Sequence, residues 1–216
     1  MGTRSAAHPA RDDPRGAGGS TAGQVGRSLI RTVSVIGVNT TSGPKGMTCS
    51  SLTIVSFEPS LIMLVVRPTG SIRSRLVDAG AFGVSILLPE QEWVARLLAS
   101  RTKSRDLNGL VGHTLLAGPM TGSPLVKPAF GWMDCRIRTI QAVGDHVTVI
   151  GDVLHEVLHR AAGLVPLVHG SGRYHRLAGF RGRSPVKPPP SAIQSSPARP
   201  AGAPVSEGPT DDGNPP

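Results

Sequence analysis

At 216 residues and 38% hydrophobic content, the chain is long enough for one independent core. Its formal net charge of +9 is spread along the chain, and the 3% aromatic content argues against the stacking platforms of single-strand nucleic-acid binders. Its two cysteines, Cys49 and Cys135, form neither a disulfide framework nor a metal pair at ligand spacing, and read as buried, reduced thiols.

Residues 1–28 hold Gly, Ala, Ser and charges with no apolar period, and read as a disordered tail. Residues 178–216 are richer in Pro and read the same way, leaving one folded domain over residues 29–177. No apolar leader opens the sequence and no run approaches membrane-spanning length, so a cytoplasmic location is expected.

In the folded part, "RTVSVIGVNT" (31–40) alternates, is β-branched and predicts a strand, with "TSGP" as its turn. "GPKGMTCSSLTIVSFEP" (43–59) runs from turn to turn through Thr48, Cys49, Ser50 and Ser51. Those side chains are too small to fill the buried face of an ordinary strand. "LIMLVV" (61–66) is a continuous apolar run, read as a strand buried on both faces.

"TGSIRSRLVDAG" (69–80) predicts a short helix capped by Thr69 or Ser71, with Ile72, Leu76 and Val77 inward. "AFGVSILLP" (81–89) is a strand, and "EQEWVARLLAS" (90–100) an amphipathic helix with Trp93, Leu97 and Leu98 inward. A basic polar loop follows. The run Arg96, Arg101, Lys103, Arg105 reads as a solvated helix end that can also steer phosphorylated ligands.

"FGWMDCRIRTIQAV" and "HVTVIGDVLHEVL" are long strands joined through Gly144-Asp145, with His146 opening the second. His155 and His159 fall within "TVIGDVLHEVLH", which reads as strand, and no third ligand accompanies them, so no metal site is expected. "RYHRL" (173–177) is a last short strand. Long adjacent strands with two short inserted helices favour an antiparallel barrel over a doubly wound parallel sheet. No GxGxxG follows a strand and no GxxxxGK[ST] is present.

Four pieces in order, "GPKGMTCSSLTIVSFEPSLIMLVV", "GAFGVSIL", "VGDHVTVIGDV" and "GSGRYHRL", resemble the flavin reductase-like family with the FMN-binding split barrel. This family includes the reductase components of two-component flavin-dependent monooxygenases. The likeness covers roughly residues 29–177. It implies a mainly β fold: a homodimer of six-stranded antiparallel split barrels with short inserted helices. It implies hydride transfer from NADH or NADPH to FMN or FAD, with reduced flavin passing to a separate oxygenase. The alternative is a flavin-binding barrel without reductase activity, serving electron transfer or other chemistry.

The resemblance also names a site. The stretch holding Gly46, Met47, Thr48, Cys49, Ser50 and Ser51 would lie along the isoalloxazine ring. Gly46 permits close approach of the backbone, and the hydroxyls supply donors and acceptors. Thr48 and Ser50 share one face by alternation, Cys49 points into the core, and Met47 is more simply core. Arg67, Thr69, Ser71 and Arg73 in "RPTGSIR" are candidates for the flavin phosphate at a helix start, although Ile72 stands where a Thr is common. Ser85 stands where relatives commonly have Asn, and Phe82 reads as core. His146, oriented by Asp145, would contact flavin or nicotinamide. Arg173 and Tyr174 would lie near the cleft, Tyr174 being the chain's only tyrosine.

Overall fold

The structure is a computed structural model and describes residues 21–68, 71–100, 105–110, 112–159 and 163–177. The tail readings for residues 1–20 and 178–216 therefore fall outside the described residues, as do Thr69, Arg101 and Lys103. Thr21–Ser28 form a helix, α1, inside the stretch read as disordered.

The strands are β1 (Arg31–Thr32), β2 (Ser34–Val38), β3 (Lys45–Cys49), β4 (Thr53–Phe57), β5 (Ser60–Val66) and β6 (Ala81–Ile86). They continue with β7 (Thr114–Ala117), β8 (Pro124–Lys127), β9 (Gly131–Val143), β10 (His146–Leu158), β11 (Leu167–Gly170) and β12 (Arg173–Arg176). Helix α2 spans Ser71–Ala79, helix α3 spans Glu92–Ala99, and short 3-10 turns lie at Pro89–Gln91 and Leu107–Gly109. The protein is mainly β, as the sequence indicated.

The main sheet is antiparallel and has seven strands in the order β3-β2-β6-β9-β10-β5-β4, one more than the six expected. The extra strand has a simple origin. The run read as one strand breaks at Ser50, Ser51 and Leu52, and its two halves, β3 and β4, are opposite edges of the sheet. A flat seven-stranded sheet is about 29 Å across at the usual strand spacing. The four steps from Cys49 to Thr53 reach at most about 14 Å. The sheet is therefore strongly curled.

Curling gives each strand an inner and an outer face. Ile36, Val38, Met47, Cys49, Ile62, Leu64, Val66, Phe82 and Val149 pack inside. Val33, just before β2, and Val35, on its other face, pack with Leu87, Val94, Ala95, Leu98, Leu107 and Leu167 in an outer layer. With both faces covered, all five residues of β2 are buried. Strand β5 differs from its reading as buried on both faces. Its burial alternates, with Ile62, Leu64 and Val66 inside and Leu61, Met63 and Val65 only half-buried.

Two helix faces also differ. In α3 the buried residues are Val94, Ala95 and Leu98, while Trp93 is 44% exposed and packs edge-on against His113. In α2, Ile72 and Leu76 are buried but Val77 is 54% exposed. Trp93 and Val77 were assigned by hydrophobicity, but each stands one residue, about 100° of helix rotation, beyond the stripe that meets the sheet.

Strands β7, β8 and β11 were not foreseen. The β7–β8 hairpin lies across Gly37 and Gly83, neighbours on β2 and β6. A Cβ on either would come within 2.2 and 2.5 Å of the Pro124 carbonyl oxygen, so only glycine admits the hairpin. Its turn is held by the buried Asp134 carboxylate, which accepts the amides of Met120 (2.7 Å) and Thr121 (3.0 Å) and the Thr121 hydroxyl. A three-stranded sheet, β1-β11-β12, joins the main sheet through Val33 N–H to Leu167 O and Leu167 N–H to Leu87 O. Among the described residues no helix is long and apolar enough to cross a membrane.

Candidate functional site

The small-residue stretch after the first turn divides by strand alternation. Met47 and Cys49 face inward and join the core, as the sequence indicated for both. Burial pushes the Cys49 thiol up, with hydrogen bonds from Ser51 and Leu52 opposing. Gly46 and Thr48 face the outer layer, and the chain's own residues cover both. A Cβ at Gly46 would lie 2.5 Å from Leu107 Cδ2, and the Gly46 N–H donates to the Arg105 carbonyl at 2.8 Å. The Thr48 hydroxyl donates to the Ala95 carbonyl of α3 at 2.6 Å. The close approach that Gly46 allows is thus used by a leucine, and the Thr48 hydroxyl ties β3 to a helix.

Ser51 sits where the chain bends from β3 into β4. Its hydroxyl donates to the Val65 carbonyl (2.9 Å) and accepts the Val65 N–H (3.0 Å), satisfying both backbone groups of that β5 residue. Ser50, on the face of Thr48, is half-buried and has no side-chain hydrogen bond among the described residues.

Two residues beyond Val65, a charged group assembles. Val66 pairs with Val147 across β5 and β10, so continuing the register sets Arg67 opposite His146. Val66 and Val147 are buried, which leaves Arg67 and His146 directed outward. Gly144 takes a positive φ of 57° in the two-residue β9–β10 turn, a conformation cheap only for glycine. That turn presents Asp145, whose Oδ1 lies 2.8 Å from His146 Nδ1. The His146 hydrogen bond and charge hold the Asp145 carboxyl below its ordinary range, and the Arg67 guanidinium adds to the effect. The structure therefore brings together Arg67, Asp145 and His146, which sequence spacing alone left apart.

Other expected members serve packing. Ser85 is 1% exposed and its hydroxyl accepts the Val126 N–H at 2.8 Å, fastening β6 to β8. Phe82 is core, as read. Ile72 is buried in the inner core and has no hydroxyl to offer a phosphate. Ser71 opens α2.

Arg173 and Tyr174 lie on β12, which pairs with β11, and β11 meets the main sheet at Val33 and Leu87. Tyr174 packs beside α3. The Arg96 guanidinium lies 5.0 Å over its ring, and His169 meets it edge-on at 5.0 Å. Burial raises the phenol's pKa, and the Arg96 charge partly offsets this. Arg173 is exposed.

Residues 48–51 run between these two groups, with Thr48 touching α3 next to Arg96 and Ser51 touching β5 just before Arg67. The sequence reading missed what pins this stretch in place. Lys45 Nζ meets Asp106 Oδ2 at 3.0 Å, and Asp106 Oδ1 accepts the Asn108 N–H, capping the turn that carries Leu107. The pattern Asp-x-Asn after a basic run was the available signal.

The family model described as flavin reductase like domain matches residues 26–178. An NADH-dependent FAD reductase of Streptomyces globisporus is 29% identical over 137 residues, 63% of this chain and 74% of that protein. The crystal structure of BorF, the flavin reductase component of a bacterial two-component tryptophan halogenase, is similar at a TM-score of 0.65 and 32% identity, covering 70% of this chain and 93% of that one. The Streptomyces globisporus NADH:FAD oxidoreductase SgcE6, solved with NAD and FAD fragments, matches at a TM-score of 0.65 and 27% identity, over 72% of this chain and 90% of that one. On this evidence the chain belongs to the flavin reductase like domain family.

Proposed function

We propose that this protein is an NAD(P)H-dependent flavin reductase, passing a hydride from the reduced nicotinamide nucleotide to FMN or FAD and supplying reduced flavin to a separate monooxygenase. The carrying observation is the Arg67, Asp145 and His146 group beside residues 48–51, in a chain of this family. The two bound nucleotides supply the hydride donor and acceptor. The chain supplies position and charge. Ionised Asp145 accepts the Nδ1–H of His146, which fixes the ring's tautomer and leaves Nε2 for a ligand. Arg67 offers a cation to the negative charge the ring gains on reduction, or to a phosphate. The fit is selective: the Ser50 and Ser51 backbone, Arg67, Asp145 and His146 suit a flat heterocycle that gains negative charge on reduction, and Ser71 and Arg73 at the start of α2 are offered for its phosphate. Gly46, Thr48 and Ser85 are already engaged within the chain.

In this reading the curled sheet closes as a split barrel, β3 and β4 counting as one bent strand, and two copies pair as a homodimer. Exposed Ile54, Val55 and Phe57 on β4 support the pairing. A cytoplasmic location accords with the two free, buried thiols. The test is oxidation of NADH and of NADPH with FMN, FAD or riboflavin added in turn. Turnover that requires flavin is expected, and its absence with both nucleotides would refute the reading. His146→Ala should lower flavin-dependent turnover, and wild-type rates in that variant would remove His146 from the site.

The second reading is a flavin-binding module without reductase activity. It is favoured by Ile72 and Ser85, the first buried in the inner core and the second bonded to the Val126 N–H, so neither offers a free polar group to a flavin. A purified protein carrying stoichiometric flavin that NAD(P)H does not reduce would establish it.

A further inference from the structure

Tyr174 was expected near the flavin cleft, and the guanidinium 5.0 Å above it occupies one ring face. What a ligand meets on that side is Arg96. The Arg96 side chain is 64% exposed, and such an arginine ordinarily samples many rotamers. Here two neighbours hold it. Glu92 Oε1 takes Nε at 2.8 Å and lies 2.7 Å from one terminal nitrogen, and the Tyr174 ring stacks beneath. Tyr174 is itself held edge-on by His169, the cross-strand partner of Arg31. Paired residues share a face, so Arg31, His169, Tyr174 and Arg96 form a row on one surface. Among the described residues Arg31 has no acidic partner.

A guanidinium has five N–H donors, and Glu92 engages two of them. The others are presented in a fixed fork, the geometry that recognises phosphate oxygens. Location identifies the phosphate. Arg96 follows Ala95, which holds Thr48, and the three residues from Thr48 to Ser51, at most about 10 Å of chain, lead to the Arg67–His146 group. With reacting rings at the His146 end, the diphosphate of a dinucleotide, one ribose away, falls toward Arg96.

We propose that Arg96, held in place by Glu92 and Tyr174, is a receptor for a nucleotide diphosphate, that of the nicotinamide nucleotide or of FAD. The placement of the rings rests on the reductase reading above.

The probe is ADP-ribose, which carries the diphosphate without a redox ring, titrated into the full-length protein by calorimetry. Arg96→Gln should weaken its binding, or raise the KM for NAD(P)H, about tenfold, with a much smaller change in kcat. Glu92→Gln, which frees the arginine without removing it, should give a smaller loss in the same direction. Ultraviolet titration of Tyr174, the only tyrosine, reports the stacking, since losing the Arg96 charge should raise its pKa further. If Arg96→Gln raises the KM for FAD but leaves ADP-ribose, NAD(P)H and FMN unchanged, the diphosphate is that of FAD. Unchanged ADP-ribose, NAD(P)H and FAD in folded Arg96→Gln overturns the proposal while leaving the reductase reading intact. Arg96-dependent ADP-ribose binding in a protein without flavin reduction sustains the receptor and refutes the reductase.

Discussion

Gly46→Ala separates two explanations for the glycine in "PKGMT". If the site opposite Gly46 is filled by the protein, the new Cβ lies 2.5 Å from Leu107 Cδ2, 3.1 Å from its Cγ and 3.3 Å from Val35 Cγ1. Apolar contacts settle at about 3.5–4.0 Å, so Leu107 must retreat by about 1 Å. Leu107 is 1% exposed, and its turn is pinned by the Lys45–Asp106 pair and by its own N–H to the Pro44 carbonyl. Overpacking of this kind costs about 1–3 kcal/mol. Removing glycine's extra unfolded-state freedom returns about 0.5–1 kcal/mol, leaving a net loss near 1–2 kcal/mol. Leu107→Ala alone should cost about 2–5 kcal/mol by opening a cavity. In that background Gly46→Ala fills part of the void and should be neutral or stabilising, a coupling of about 1–3 kcal/mol. Urea unfolding followed by tryptophan fluorescence measures all four proteins. Equal cost of Gly46→Ala in both backgrounds would refute the packing argument. So would unchanged stability with a raised KM for flavin, which would put a ring over Gly46 after all.

Four further outcomes follow from single contacts. Ser51→Ala leaves the Val65 N–H and carbonyl without their partner and should lower stability by about 1–3 kcal/mol in urea; a change below about 0.5 kcal/mol would mean water replaces the hydroxyl. Asp134→Ala strips the β7–β8 turn of its acceptor and should cost at least about 2 kcal/mol, with protease cleavage appearing near Met120; a protected turn would contradict that role. Burial raises the pKa of both thiols, so Cys49 and Cys135 should react with Ellman's reagent only on unfolding; rapid labelling of the native protein would show that they are accessible. Lys45 lowers the Asp106 pKa below 3.8, so the carboxylate's contribution to stability is present above about pH 4 and lost as pH falls through the lowered value. Asp106→Asn should flatten that acid limb, and an unchanged limb would exclude the pair as its cause.

The strands were legible because apolar alternation and turn residues mark them directly, as in the β9–β10 hairpin around Gly144-Asp145. The β7–β8 hairpin was missed because "GPMTGS" carries loop chemistry, and its order comes from Asp134, distant in sequence. Helix α3 was found but wrongly rotated, since the largest apolar residue, Trp93, is not the one the sheet accommodates. At the site, small residues gave an ambiguous signal. Smallness at Gly46 accommodates Leu107, at Ser51 it serves Val65, and only register, which no local pattern encodes, brought Arg67 to His146.

The bend at Ser50, Ser51 and Leu52 makes the two edges of the main sheet a single covalent object. The sheet's circumference is thus set by chain connectivity as well as by hydrogen bonds, and the same three residues fix both its curvature and one wall of the candidate site. A permuted chain with its termini moved to this bend would keep every strand and every ladder. It would lose the hoop that forces them to curl, and with it the reason Arg67 and Thr48 stand within one short stretch of each other.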